Sequence, residues 1–128
     1  MKSVGIIGGL GPETTAEFYM NIIKKNSKRN DRNPRILIHN VPMPFDLQED
    51  IVKKSKNEDK LLPLLIEGLN TLQDKVDFIV MPCNTAHVFI DDLKGKSKVP
   101  VLSIIEETVK EVKRRNLKIV GILATSKT

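Results

Sequence analysis

Val4-Gly5-Ile6-Ile7-Gly8-Gly9-Leu10-Gly11-Pro12-Glu13-Thr14-Thr15 decides the fold. The opening residues are a short apolar run of β character, and Gly8, Gly9 and Gly11 break it into a tight turn. Pro12 then suits the first position of a helix, where a missing N–H leaves nothing unpaired. Ala16, Tyr19, Ile22 and Ile23 follow at helical spacing. A strand that passes directly into a helix is half of a β–α–β crossover, and the rest of the chain repeats the unit.

Working outward, a polar basic stretch ends at Asn33-Pro34, and a second strand is predicted over residues 35–39. Residues 40–46 carry Pro42 and Pro44, which lack ladder donors, so this stretch is not a central strand. Leu62, Leu65, Ile66, Leu69 and Leu72 predict a helix running to about Asp74, with Pro63 near its first turn. Residues 78–81 are apolar throughout, as a strand covered on both faces should be. A short helix is predicted over 84–93 and a strand over 99–102. Ser103-Ile104-Ile105-Glu106 is a capping-box pattern opening a helix to about Asn116, and a last strand is predicted over 119–124. The alternation specifies an α/β fold, a doubly wound, flavodoxin-like parallel sheet with flanking helices.

Composition narrows the class. The chain has 128 residues, 40% hydrophobic and 29% charged, the balance of a globular domain. No apolar run approaches the roughly 20 residues of a membrane-spanning helix, and residues 1–7 enter a strand pattern without a signal-peptide cleavage site. One cysteine allows no internal disulfide, so a cytoplasmic setting is expected. The net charge of +5 invites a nucleic-acid reading. Acidic residues interleave with most of the basic ones, and four Phe and one Tyr are few for base stacking, so a solvated surface and no nucleic-acid partner are expected.

In doubly wound sheets ligands gather at the carboxyl ends of the strands. Here those ends hold Gly8-Gly9-Leu10-Gly11, His39-Asn40, Pro82-Cys83-Asn84-Thr85, Ser103 and Ala124-Thr125. The glycine turn and the helix start after it suit a phosphate or a carboxylate, and glycines that only make the turn are the alternative. Neither the dinucleotide fingerprint nor the Walker pattern is met. Cys83 stands between a proline and Asn84-Thr85 at a predicted helix N-terminus. The dipole there is expected to pull the thiol below its usual value of about 8.5. A buried structural cysteine is the bland alternative. Cys83 and His87, four apart, also permit a nucleophile–base pair, and a zinc site would need ligands beyond His39.

Three segments carry a resemblance: Gly8-Gly9-Leu10-Gly11-Pro12-Glu13-Thr14-Thr15, Met81-Pro82-Cys83-Asn84-Thr85-Ala86-His87 and Leu123-Ala124-Thr125-Ser126-Lys127-Thr128. In order and spacing they resemble signature segments of the aspartate/glutamate racemase family, most of all its aspartate racemase branch. The resemblance implies an isomerase, a racemase that needs neither pyridoxal phosphate nor any other cofactor and no metal. One cysteine thiolate removes the α-proton of an amino acid, and a second, on the opposite face, reprotonates the planar intermediate. Cys83 matches the first. Asn84 and Thr85 match residues that hold the α-carboxylate beside the turn of Gly9, Leu10 and Gly11, and Thr125 lies in a segment lining the same site.

Family members run to about twice this length as two similar domains. The resemblance therefore implies an N-terminal domain over 1–117, with 118–128 starting a second domain that would carry the second cysteine. Residues 41–47 have no arginine, which aspartate racemases often place there for the side-chain carboxylate, so the amino acid is left open. The expected partner is a small amino acid or dicarboxylate, with no membrane, and with self-association as a homodimer. A non-catalytic relative that binds a small carboxylate, or serves as a dimerisation module, is the rival reading.

Overall fold

The computed structural model describes residues 2–28, 32–54 and 57–123, apart from the side chains of 52–54 and 58. The order is β1 (Val4–Gly8), α1 (Pro12–Ser27), β2 (Ile36–Asn40), α2 (Phe45–Lys54), a 3-10 turn (Glu58–Lys60), α3 (Leu61–Leu72) and β3 (Phe78–Val80). A second 3-10 turn (Thr85–Phe89), α4 (Ile90–Lys96) and α5 (Ile104–Arg114) follow. The sheet runs β2-β1-β3, all parallel, with Val4 opposite both Ile36 and Phe78. Every residue of β1 is buried, as its central place requires.

Two glycines show how the sheet is covered on both sides. A Cβ on Gly8 would come within 2.4 Å of Thr15 Cγ2, so α1 lies against that face of β1. A Cβ on Gly68 would come within 2.9 Å of His39 Cδ2 and 3.4 Å of Ile7 Cγ2, so α3 lies against the other. Successive strand residues point to opposite faces, which is why Ile7 and Gly8 meet different helices. Ile7, Leu65, Leu69, Ile79, Met81 and Leu93 are fully buried between sheet and helices. At the amino edge, Asp77 accepts from the amide and hydroxyl of Ser3 at 2.5 and 2.7 Å and ties the start of β1 to that of β3.

The alternation read from the sequence is the observed architecture, with four local differences. The stretch taken as loop up to residue 46 already enters α2 at Phe45, just after Pro44. The predicted helix over 84–93 is a 3-10 turn followed by α4, which runs on to Lys96. The predicted strand over 99–102 contracts to one parallel bridge between Val101 and Ile79. Pro100 supplies no N–H there, and Ser103 already caps the next helix. Residues 119–123, predicted as strand, make no ladder, and Ile119, Ile122 and Leu123 are exposed. An apolar run of β propensity becomes a strand only where a neighbour and a covered face receive it. Residue 124, the end of that prediction, lies outside the described residues.

Candidate active site

β3 ends at Val80, and the chain leaves the sheet through Met81, Pro82 and Cys83. Met81 is buried and anchors this exit in the core, while the Cys83 amide donates back to Met81 O at 2.9 Å. The 3-10 turn starts at Thr85, with the His87 amide bonded to Asn84 O at 3.0 Å. Cys83 is half-buried at the floor of an open cavity of about 550 Å³. Leu10, Thr14 and Phe18 wall it from the β1–α1 side, and Leu102, Ser103, Ile104 and Glu107 from the start of α5. The cavity sits at the carboxyl edge of the sheet, where a doubly wound fold places ligands.

The thiol does not have the acidity expected from the sequence. Burial pushes Cys83 up, opposed by the N–H groups of Ala86 and Thr85 that bond its sulfur. The helix start is a single 3-10 turn of five residues rather than an α-helix, and so few aligned peptides supply only a small dipole. Burial therefore favours the protonated thiol over the thiolate.

His87 is not the base of a Cys–His pair. It is buried, and its Nε2 accepts from the Ile104 amide at 3.0 Å, which makes Nδ1 the protonated nitrogen. Nδ1 donates to the carbonyl oxygen of Cys83, not to its sulfur, at 2.7 Å. The imidazole is thus a strut between the Cys83 backbone and the first amide of α5. Ser103 completes that helix start by accepting from the Glu106 amide at 3.4 Å. The reciprocal half of the capping box is absent, because the Glu106 carboxylate turns to Lys94. Among the described residues no three His, Cys, Asp or Glu side chains group closely enough to hold a metal ion, so the zinc alternative has no ligand set there.

The remaining candidate residues divide. Leu10, Cys83 and Asn84 line the cavity. Gly9 and Gly11, with φ of 84° and 119°, shape the turn beneath it. The Gly9 amide is already bonded to Thr15 Oγ1 at 3.1 Å, and a Cβ there would stand 2.9 Å from Val41 N. Thr85 contributes its amide to the Cys83 sulfur. Thr125 lies outside the described residues. Sequence reasoning missed Thr14, Phe18, Ile104 and Glu107 as cavity walls. The capping box at Ser103 was the available signal for the last two, since it put a helix start at the same sheet edge.

A cysteine lining an open cavity at the carboxyl edge of a doubly wound parallel sheet defines the class, an α/β domain with a thiol in its cavity wall. The chain belongs to the Asp/Glu/Hydantoin racemase family, whose sequence model matches residues 7–128. It is 36% identical over 115 residues to the broad specificity amino-acid racemase RacX of Bacillus subtilis (strain 168), covering 85% of this chain and 48% of that protein. It is 40% identical over 77 residues to the glutamate racemase of Aquifex pyrophilus, covering 57% of this chain and 30% of that one. The crystal structure of an aspartate racemase homologue from Pyrococcus horikoshii OT3 superposes with a TM-score of 0.76 at 25% identity, over 90% of this chain and 50% of that one. The chain thus spans half or less of the length of these relatives.

Proposed function

We propose that this chain supplies one face of a cofactor-independent amino-acid racemase site, with Cys83 as the group that exchanges a proton with the substrate α-carbon. The observation that carries the reading is the Cys83 thiol in the cavity at the sheet edge, with the amides of Thr85 and Ala86 bonded to its sulfur. An α-proton is only weakly acidic, so its removal requires a base held against it and donors aimed at the developing charge. Asn84 and Thr85 supply polar groups for the α-carboxylate, and Thr125 joins them in this reading. As a protonated thiol, Cys83 is set to deliver a proton to the planar intermediate. As a thiolate it removes one, and the two amides then stabilise the sulfur charge. These 128 residues hold one cysteine, so in this reading complete inversion draws its second base from outside them.

The test is α-proton exchange in heavy water, run on a panel of acidic, basic and neutral amino acids. The expected result is deuterium entering Cα with configuration retained, lost in Cys83→Ala. Exchange that survives Cys83→Ala would overturn the assignment. Efficient conversion to the opposite enantiomer by the 128-residue chain alone would overturn the half-site reading. Calorimetric binding of an amino acid with no exchange would instead favour a non-catalytic carboxylate-binding relative.

A further inference from the structure

We infer that the Cys83 cavity selects an amino acid with a cationic side chain on an apolar stem, such as lysine or ornithine, and that Glu107 selects it. The inference rests on the reading above that an amino acid sits over Cys83. Leu10, Phe18, Leu102 and Ile104 give the cavity apolar walls, and Glu107 sets a carboxylate among them. Among the described residues that line the cavity, Glu107 is the one with a charge, and no Lys, Arg or His joins it. Glu107 also lines the groove that continues along α5, so its carboxylate stands where the cavity opens outward. A stem of methylenes ending in an ammonium matches this arrangement, because the stem covers apolar surface while the charged head stays at the wet rim.

The start of α5 fixes where this carboxylate lies. The Glu107 amide donates to Ser103 O at 3.0 Å, which sets Glu107 in the first turn above Ser103 and Ile104. Its neighbour Glu106 turns away to Lys94 and leaves Glu107 to face the cavity. The present partner of Glu107 is Lys110, whose ammonium donates to Oε1 at 2.6 Å. The two side chains are 51% and 69% exposed, and such a surface pair is worth little. A ligand ammonium therefore displaces Lys110 at small cost, and Lys110 already shows that a primary ammonium suits this carboxylate. An acidic side chain meets the reverse. Its carboxylate would leave water for apolar walls and face a second carboxylate, both unfavourable. An aliphatic side chain gains the apolar contact and leaves Glu107 unused.

Protection of Cys83 from iodoacetamide reads occupancy of the cavity itself, on chains whose fold is checked by circular dichroism. Lysine is expected to protect at about fivefold lower concentration than norleucine, its uncharged analogue, with glutamate the weakest. Salt at about 1 M is expected to shrink the advantage of lysine and not the protection by norleucine. E107Q is expected to bring lysine to the norleucine level, and E107K to favour glutamate over lysine. K110Q frees the carboxylate and is expected to strengthen protection by lysine. Equal protection by lysine and norleucine, stronger protection by glutamate, no protection by any of the three, or a lysine advantage that survives E107Q would each overturn the proposal. So would a K110Q variant as weak for lysine as E107Q. Lysine that protects through Glu107 yet exchanges no α-proton leaves this inference standing and removes the catalytic reading of Cys83. Cys83-dependent α-proton exchange that prefers glutamate does the opposite.

Discussion

At Cys83 two influences meet on one sulfur. The surrounding protein disfavours the thiolate, and the amides of Ala86 and Thr85 favour it, with burial the larger. The rate of alkylation by iodoacetamide is therefore expected to rise with pH through a midpoint above the usual cysteine value of about 8.5. The folded chain holds this proton more tightly than the unfolded one. The corresponding stability is present below the unfolded thiol range and lost as pH rises through the folded one. His87 presents a different case, since both ring nitrogens are committed to backbone groups. His87→Ala strands the Ile104 amide and the Cys83 carbonyl, and is expected to cost about 2–4 kcal/mol in urea denaturation. Cys83 should then alkylate faster, because its loop loses the strut to α5. A Cys–His catalytic pair would give the opposite result, slower alkylation with stability little changed.

The contact of α1 with β1 turns on one methyl group. Gly8→Ala would drive its Cβ into Thr15 Cγ2, so a loss of about 1–3 kcal/mol is expected. Thr15→Ser removes that methyl and keeps the hydroxyl that receives the Gly9 amide. The double variant is expected to lie closer to wild type than the sum of the two single losses, in a double-mutant cycle by chemical denaturation. At the other end of the sheet, Ser3 holds the Asp77 carboxyl below the usual carboxylate range by hydrogen bonds from its backbone and its side chain. The stabilisation this gives is present above the unfolded carboxylate value and lost as pH falls through the lowered one. Asp77→Asn is accordingly expected to lower Tm by a few degrees at neutral pH, with the difference fading in acid. At this scale β1, α1 and the α5 cap were legible, because each rests on a local rule: a glycine break, a proline at the first turn, a serine cap. The 3-10 start after Cys83 was not, since helix type there depends on how the turn packs under α4.

Stability is unevenly spread across the molecule. β1 is buried along its whole length, whereas α5 buries no residue and hangs on its capped start. At low protein concentration the amides of α5 are expected to exchange with solvent well before those of β1, measured by hydrogen–deuterium exchange. Equal protection of α5 and β1 in dilute solution would contradict this distribution. Ile105 and Val109 of α5 and Ile119, Ile122 and Leu123 belong together in this respect, because all are apolar and exposed among the described residues.

The alternation of strands and helices, the glycine turn after β1 and the place of Cys83 at a strand end could all be read from the chain before it folds. Those features follow from periodicity, from glycine and proline chemistry and from short-range capping, all of which act over a few residues. It took the folded chain to show that burial favours the Cys83 thiol, that His87 braces the backbone, and that residues 119–123 form no strand. Burial, the direction in which a side chain hydrogen-bonds and the presence of a neighbouring strand are set by residues far apart along the chain, so no local pattern encodes them.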